Sequence, residues 1–320
     1  MYKKIIAAAI AVTGVIAPLA NTNNVYAEEL TTTGSAASSW IQVSPVSSRV
    51  TLKPDTALDY SMIVSNIGED EFKFSTYTAP YSVVDEDYNV SFANETNRTQ
   101  LSRWIQFIND DGSLTDKYTG SIPAGEKKTV NYRITVPADI PAGGQYATIF
   151  AQTEPEDTNS STSGIKTVSR IGLVVYGRTS GDTEEKAEIV DFHMDRFLTQ
   201  GPVKATALVK NSGNTDFEVK YEYTVNSIVG NELYHKEDAQ NVLPETSRRK
   251  TYEWENTSIM GIFKATFKVS ALGETREETH LVIIMPIFMI VIAIILLTIL
   301  TIWIIMVVRK RRERKSRLVA

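Results

Sequence analysis

The chain has 320 residues, a formal net charge of −5 and no cysteine. Residues 28–280 hold 24 Lys and Arg against 37 Asp and Glu, so this long central part carries a net charge of −13. Such an acidic surface disfavours nucleic acids and other polyanions as partners. Without cysteines no disulfide crosslinks the chain, so its stability must come from buried apolar surface.

The first 27 residues predict a signal peptide that is cleaved after Ala27. Two lysines near the start are followed by an apolar run at 5–20, and a Val-Tyr-Ala triplet that fits a small-x-small cleavage site ends at Ala27. The alternative is an uncleaved N-terminal anchor, but a spanning helix takes about 20 apolar residues. We therefore expect the rest of the chain to be exported.

Residues 40–178 predict a first β-sandwich of the immunoglobulin type. Apolar and polar side chains alternate along short segments, as at Tyr60, Met62 and Val64, and turn residues separate the segments. The Pro- and Gly-rich stretch before Tyr146 predicts a sharp corner. We interpret this stretch as structural, with the Tyr146 hydroxyl as a tyrosine corner, and a ligand-facing corner is the alternative.

An insertion at about 81–118 interrupts this sandwich. The spacing of Leu101, Trp104 and Ile108 fits one face of a helix. Trp104, Gln106 and Ile108 are, however, also spaced by two, as on one face of a strand. We interpret the segment as a helical turn at 99–103 followed by a strand.

Two polar stretches predict connections. Residues 154–163 predict a long hairpin loop inside the first sandwich, and residues 178–186 predict a linker. A second domain is predicted after this linker, at 186–284.

The second domain repeats signals of the first. Val-Ser-Asn-Ile-Gly at 64–68 recurs as Val-Lys-Asn-Ser-Gly at 209–213, and in both copies an acid, a Phe and a further apolar residue follow. The stretch 144–150 likewise matches 261–267. We interpret the Asn-x-Gly motif as a tight hairpin in which Asn and Gly accept positive φ. The shared order predicts an all-β fold with two tandem immunoglobulin-like antiparallel sandwiches.

The C-terminal part predicts a membrane anchor. Residues 281–308 contain no charged side chain, and we predict a last strand that ends at Ile284 and a transmembrane helix at 286–308. A basic tail follows at 309–320. Because Lys and Arg stay on the cytoplasmic side, we predict a single-pass plasma-membrane protein with an extracellular N-terminus and ectodomain and a cytoplasmic C-terminus.

We predict no catalytic, cofactor-binding or metal site. His193, His235 and His280 lie far apart and lack metal-ligand spacing. The acidic turns at 85–87 and 109–112 are candidates for calcium, but neither has EF-hand spacing and a solvated turn is the simpler interpretation.

Three tyrosines near Pro80 form a further candidate. Tyr77, Tyr81 and Tyr88 are either a carbohydrate-stacking strip or ordinary packing residues of the sandwich. We favour packing, because tyrosine is common in sandwich strands.

Several motifs of residues 40–178 carry a family resemblance. They are Leu52-x-Pro54 with Tyr60, Val64 and Asn66, the run Leu101–Ile105, the run Ile122–Glu126 and the run Val136–Tyr146. These motifs resemble the peptidoglycan-binding domain of the bacterial WxL-interacting surface proteins, whose layout of two exterior sandwiches, one membrane helix and a basic tail is similar. The resemblance implies a cell-surface protein that associates with the wall and holds partner proteins with Trp-x-Leu motifs. This chain has no Trp-x-Leu motif itself, which fits the interacting role.

Two functional hypotheses follow. The first is a non-enzymatic, membrane-anchored binding or scaffold protein that contacts the cell wall (peptidoglycan) or other surface proteins, Trp-x-Leu-bearing ones among them, and the lipid bilayer through 286–308. The second is a surface hydrolase that acts on cell-wall glycans or peptides. The lack of a catalytic motif and the resemblance favour the first.

Overall fold

The computed structural model describes residues 41–154, 168–255 and 260–319, with side chains up to 310. The predicted signal peptide, most of the predicted loop at 154–163 and the side chains at the end of the basic tail lie outside the described residues. The fold is all-β, with immunoglobulin-like sandwiches and one C-terminal helix, as predicted.

The first sandwich, residues 41–179, is built from strands β1–β12 and a short helix. These elements are β1 (Ile41–Ser44), β2 (Ser47–Leu52), β3 (Thr56–Asn66), β4 (Phe72–Pro80), β5 (Ser82–Val83), β6 (Val90–Ser91), α1 (Leu101–Trp104), β7 (Ile105–Ile108), β8 (Leu114–Thr115), β9 (Lys117–Ile122), β10 (Lys127–Val136), β11 (Gly144–Thr153) and β12 (Arg170–Thr179). The order of α1 and β7 confirms the predicted helical turn followed by a strand.

Two sheets pack face to face in the first sandwich. Their strand orders are β1-β3-β10-β7-β8 and β2-β12-β11-β4-β9, and β5 and β6 pair separately as a hairpin. Most neighbours are antiparallel, but β2 runs parallel to β12. Alternate side chains of the facing strands enclose one core, which contains Phe74, Phe107, Tyr132 and Ile149.

The second sandwich, residues 187–284, repeats this plan without an insertion. Its strands are β13 (Ala187–Met194), β14 (Phe197–Leu198), β15 (Val203–Asn211), β16 (Phe217–Ser227), β17 (Glu232–Val242), β18 (Ser247–Trp254), β19 (Gly261–Ala271) and β20 (Glu274–Ile284). The two sheets have the orders β13-β15-β18 and β14-β20-β19-β16-β17, and β14 runs parallel to β20 as β2 does to β12. A separate core forms around Tyr221, Tyr223 and Phe267.

The repeated Asn-x-Gly motif does not form a hairpin, so that prediction is wrong. The strands on either side of the first copy, β3 and β4, lie in different sheets, and so do β15 and β16 around the second copy. Neither Gly68 nor Gly213 has a positive φ. Each motif is therefore a corner at which the chain crosses from one sheet to the other; we call residues 66–71 the first corner and residues 211–216 the second corner.

The asparagine side chain closes the first corner. Asn66 Oδ1 accepts the N–H of Gly68 at 2.9 Å, and Nδ2 donates to the carbonyls of Asp70 and Ile122 at 2.7 and 2.9 Å. A hairpin would satisfy these backbone groups by ladder bonds, whereas a crossing chain needs a side chain to do so.

The second corner has the same three bonds. Asn211 Oδ1 accepts the N–H of Gly213 at 2.9 Å, and Nδ2 donates to the carbonyls of Thr215 and Val242 at 2.8 and 2.9 Å. The structure thus reproduces the sequence repeat atom by atom, although with a different turn from the one predicted.

The C-terminal helix α2 (Ile287–Val319) follows β20 after two residues. Its part from Ile287 to Lys310 is long and apolar enough to cross a membrane. Pro286, which has no N–H to donate, directly precedes the helix and suits this place at its start.

Candidate functional site

The second corner packs against the first sandwich at the start of β11. The carbonyl of Asn214 accepts the N–H of Gly144 at 2.7 Å. The neighbouring Gly143 has a φ of +108°, and a Cβ atom there would lie 2.1 Å from the same carbonyl oxygen. Glycine is therefore required at 143 both by the backbone conformation and by the closeness of Asn214.

A buried tyrosine and a buried aspartate join the two sandwiches. Tyr146 on β11 is 1% exposed and Asp216 in the second corner is 7% exposed. The Tyr146 hydroxyl donates to Asp216 Oδ1 at 3.1 Å and accepts the backbone N–H of Asp216 at 3.0 Å. Arg49 on β2 donates to the other carboxylate oxygen at 2.7 Å. The buried carboxylate is thus both hydrogen-bonded and paired, as a buried charge must be.

This contact changes the acidity of its partners. Burial, together with the negative charge of Asp216, raises the pKa of Tyr146 far above its usual range. The hydroxyl therefore keeps its proton and remains a donor. Burial alone would lower the pKa of Arg49, but the hydrogen bond and the charge of Asp216 outweigh it and the pKa is raised.

Tyr146 is not a tyrosine corner, and that prediction is wrong. Its ring folds back over Gly144, where a Cβ atom would lie 1.8 Å from the hydroxyl oxygen. The hydroxyl therefore points beyond the end of the first sandwich and bonds to Asp216 of the second sandwich. The equivalent Phe263 lies over Gly261 in the same way, with 2.6 Å between the ring and the place of a Cβ atom, but it has no hydroxyl.

The insertion makes a second set of contacts between the two sandwiches; we call the region where the sandwiches meet the junction. Glu86 lies in the turn between β5 and β6, and its carbonyl accepts the backbone N–H of Arg249 on β18 at 2.6 Å. The Glu86 carboxylate also pairs with the guanidinium of Arg249, at 2.5 Å. The Arg248 guanidinium lies 3.6 Å from the centroid of the Tyr88 ring. The acidic turn at 85–87 is therefore part of the contact between the sandwiches.

A third apolar cluster lies between the two cores. Its buried members are Tyr81 and Tyr146 from the first sandwich and Leu243 from the second, and Tyr88 packs against them. Tyr77 packs instead against a phenylalanine of β11. All three tyrosines therefore pack against other side chains, as the packing interpretation expects, and Tyr81 also lines the cleft beside the cluster.

A cleft of about 420 Å³ opens beside this cluster. The insertion, the corner before β11 and the loop before β18 supply its walls. The lining residues are Tyr81, Ser82, Val83, Asn94, Thr96, Asn97, Arg98, Thr99, Pro141, Tyr146, Leu243, Pro244, Glu245 and Thr246. The volume is in the range of small-molecule sites, and the hydroxyl and amide groups suit a polar ligand.

One ion pair joins the two walls of the cleft. Arg98 Nη2 lies 3.2 Å from Glu245 Oε1, and Arg98 Nη1 donates to the carbonyl of Ala142 at 2.6 Å. Glu245 has a φ of +61°, a left-handed conformation that is costly for a residue with a Cβ atom.

Glu245 stands where the first sandwich has a glycine. The N–H of Asn66 donates to the carbonyl one residue after Gly125, and the N–H of Asn211 donates to the carbonyl one residue after Glu245, each at 2.9 Å. Gly125 and Glu245 are thus equivalent, and the φ of Gly125 is +75°. The second sandwich therefore keeps a strained glutamate where glycine would be relaxed.

The other predicted candidates lie away from the cleft. His193, His235 and His280 are on three different strands, β13, β17 and β20. In the second acidic turn Asp111 accepts the N–H and the hydroxyl of Ser113 at 2.9 and 2.6 Å. Within residues 41–154, 168–255 and 260–310, no group of three His, Asp or Glu side chains is placed to hold a metal ion.

No protein-family model matches the chain. Among curated proteins, the aminotransferase-like protein FGM3 of Gibberella zeae is 28% identical over 169 residues. That match covers 51% of this chain and 38% of the other protein, so the chain spans well under half the length of this relative.

Similar solved structures come from fimbrial chaperones. The CsuC–CsuE chaperone–tip adhesion subunit complex of Acinetobacter baumannii has a TM-score of 0.36 at 12% identity, covering 76% of this chain and 98% of that chain. The E. coli chaperone DraB has a TM-score of 0.35 at 11% identity, covering 76% and 97%. The Salmonella enterica SafA pilin–SafB chaperone complex has a TM-score of 0.35 at 10% identity, covering 77% and 97%. Likeness at this level carries no argument about function.

The residues that build the junction were not among the predicted candidates. Arg49 and Asp216 are 167 positions apart, and Arg98 and Glu245 are 147 apart. Glu245 had no sequence signal either, because matching Ile122-Pro123 with Leu243-Pro244 places Glu245 opposite Ala124. Only the backbone bonds of the structure pair it with Gly125.

Proposed function

We propose that this chain is a non-enzymatic, membrane-anchored surface protein that binds the cell wall, with peptidoglycan as the ligand of the junction cleft. Glu245 carries the proposal. It lines the cleft, pairs with Arg98 and holds a left-handed conformation where the equivalent residue is Gly125. Backbone strain of this kind, of order 1–3 kcal/mol, clusters at functional sites.

The chemistry of the cleft supports a polar ligand of low net charge. Arg98 and Glu245 offset each other, and the walls offer hydroxyl and amide groups from Ser82, Asn94 and Thr246. Peptidoglycan presents sugar hydroxyls and amides, which such groups bind. The resemblance to the WxL-interacting proteins, in residues 40–178, agrees with this ligand.

The anchor in this proposal is α2. Residues Ile287–Lys310 are long and apolar enough to cross a membrane, and the residues at and just after the end of this span, 309–312, are all basic. Because Lys and Arg stay on the cytoplasmic side, both sandwiches would face the exterior and the C-terminus the cytoplasm. The cleft would then lie on the outer side of the membrane, where the wall is.

A surface hydrolase has less support. Glycoside hydrolysis canonically uses two carboxyl groups on either side of the scissile bond. Of the described residues that line the cleft, Glu245 is the one carboxylate, and Arg98 is its partner.

The proposal is tested by sedimenting the full chain, in detergent micelles, with isolated wall sacculi. We expect the chain to sediment with the sacculi. Glu245→Gly should weaken this binding several-fold and leave the melting temperature unchanged or slightly raised, because glycine relaxes the backbone at this φ. Asn94→Trp, which places a bulky side chain at the wall of the cleft, should also weaken binding.

A matched control is Asn131→Trp, because Asn131 is exposed on β10 and does not line the cleft. Binding that is absent, or equal in all variants, would refute the cleft as the peptidoglycan site. If the chain instead recovers proteins from a surface extract and Glu245→Gly abolishes that recovery, the cleft holds a protein segment rather than the wall polymer.

A further inference from the structure

One end of the second sandwich has an exposed apolar rim. Its members are Phe197, Ile228, Val229, Ile262 and Leu281, whose exposed fractions range from 44% to 79%. Ile228 and Val229 occupy the turn between β16 and β17, a place where Gly, Asn, Asp and Ser are usual. Exposed apolar groups that lie together indicate a contact surface.

Strand register places this rim at the end of the sheet that leads into α2. Ile283, near the end of β20, pairs with Ile262 on one side and with Phe197 on the other. Ser227, which precedes Ile228, pairs with the residue next to Ile262. The rim residues of β14, β19 and β20 and of the turn between β16 and β17 therefore lie together at the end of the sheet from which the chain enters α2.

The outward face of β19 and β20 changes from polar to apolar toward α2. Its successive cross-strand pairs are Ser270–Thr275, Lys268–Glu277, Thr266–Thr279, Lys264–Leu281 and Ile262–Ile283. The first three pairs are polar, the fourth is mixed and the last is apolar. A face in water throughout gives no reason for this gradient, whereas a face that enters the interface of a bilayer does.

The connection to α2 is too short and too firmly held to lift the rim away from the helix. The N–H groups of Ile283 and Met285 donate to the carbonyls of Arg196 and Leu198, both at 2.8 Å. Sheet bonding thus continues to Met285, and α2 begins at Ile287. Only the two residue steps from Met285 to Ile287 are free of the sheet, and they span at most about 7 Å, which does not exceed the polar layer of a bilayer, roughly 5–8 Å thick on each side.

We propose that this rim inserts into the interface of the bilayer that α2 spans, so that the second sandwich rests on the membrane surface. The inference rests on the proposed anchoring by α2. Lys264, one pair above the apolar end, would extend its stem along the rim and place its ammonium group at the lipid phosphates. The junction cleft, at the other end of β15 and β16, would be held about 30 Å above the membrane by the length of these strands.

The test uses the lack of native cysteines, which makes any introduced cysteine a unique labelling site. Val229→Cys carries an environment-sensitive fluorophore, and the full chain is reconstituted into vesicles with nitroxide-labelled phospholipids. Leu272→Cys is the matched control, because Leu272 is a 41% exposed apolar residue in the turn at the opposite end of the same sheet. Ile262→Cys is a second rim position.

We expect several-fold stronger quenching at Val229→Cys and Ile262→Cys than at Leu272→Cys. Flotation of the vesicles reports separately whether the chain is anchored. Vesicles that carry the chain but quench all three labels equally weakly would overturn the rim while leaving the anchor intact. A chain that does not float with vesicles would overturn the anchor and the rim together.

Discussion

The two corners of this molecule have the same internal bonds but different surroundings. In the first corner Asp70 and Glu71 are exposed, so this part of the turn faces solvent. In the second corner the equivalent Thr215 and Asp216 are buried. Tyr146 and Arg49 of the other sandwich bond to Asp216, and Arg178 donates to Thr215. The local motif forms the corner, and the neighbouring sandwich decides whether the corner also joins two units.

Because their surroundings differ, the same three asparagine hydrogen bonds should contribute different amounts to the free energy of unfolding at the two corners. A hydrogen bond that water can replace contributes little, whereas a polar group left unsatisfied in the interior costs about 1–3 kcal/mol. All three bonds of Asn211 are buried, but only one of the three bonds of Asn66 is. Substitutions at paired positions can therefore measure the effect of surroundings alone.

The largest effect is expected from removing the corner asparagines. Asn211→Ala leaves two carbonyls and one N–H without partners in the interior and should lower the free energy of unfolding by about 3–5 kcal/mol. Asn66→Ala should cost about 2–3 kcal/mol, because water reaches part of its site. Denaturant unfolding of the full chain in micelles, followed by tryptophan fluorescence, measures both.

Equal losses at the two positions would contradict the role of the surroundings. Asn94→Ala serves as a control for the loss of an amide, because Asn94 is exposed, and it should change the free energy of unfolding by less than about 0.5 kcal/mol.

The next effect concerns the close approach of the second corner. Gly143→Ala places a Cβ atom against the carbonyl of Asn214 and forces alanine into a positive φ, so we expect a loss of about 2–4 kcal/mol. The damage should be confined to the junction, with faster hydrogen exchange at residues 143–146 and 214–216 and unchanged exchange in the two cores. Gly112→Ala is the control, since Gly112 also has a positive φ but has open space around its Cβ position.

The corners also show how far the sequence predicts this structure. Period-two alternation predicted strands on both sides of each motif, and those strands exist. Alternation does not identify the partner of a strand, however, so a crossing between sheets was taken for a hairpin. The same limit applies to Tyr146, because its partner Asp216 lies 70 residues away in another sandwich.

What the sequence predicted well depends on local chemistry. The apolar helix that begins at Ile287 and the helical turn at 101–104 followed by β7 arise from composition and spacing within one segment. The cleft arises from four separate segments that only the fold brings together. Its lining residues therefore had no common pattern in the chain.

A smaller effect is expected from the hydroxyl that crosses the junction. Tyr146→Phe leaves the N–H of Asp216 and one carboxylate oxygen without a partner, while Arg49 still pairs with the other oxygen. The free energy of unfolding should fall by about 1–3 kcal/mol. Tyr223→Phe is the matched control within one core, because its hydroxyl lies at 3.5 Å from the nearest acceptor, the carbonyl of Val203, and it should cost less.

Alkaline pH should act on the same hydroxyl. Burial and the charge of Asp216 raise the pKa of Tyr146, against a smaller opposing effect of Arg98, while tyrosines of the unfolded chain ionise near pH 10. The folded state thus keeps a proton that the unfolded state loses. The stabilisation is complete below about pH 10 and falls as pH rises further, by up to about 1.4 kcal/mol per pH unit. Unfolding measured from about pH 9 to 11 should show a shallower loss for Tyr146→Phe, and parallel curves would contradict this.

The smallest effect is expected from the exposed ion pair at the other side of the junction. The Glu86 and Arg249 side chains are 50% and 37% exposed, so Glu86→Gln should cost less than about 1 kcal/mol and the loss should shrink further at high salt. The backbone bond from Arg249 to the Glu86 carbonyl remains in this variant. A loss as large as that of Tyr146→Phe, measured by the same unfolding experiment at low and high salt, would mean that the insertion rather than the second corner holds the sandwiches together. A small, salt-sensitive loss would place the main joint at the carboxylate of Asp216, whose side chain is only 4% exposed.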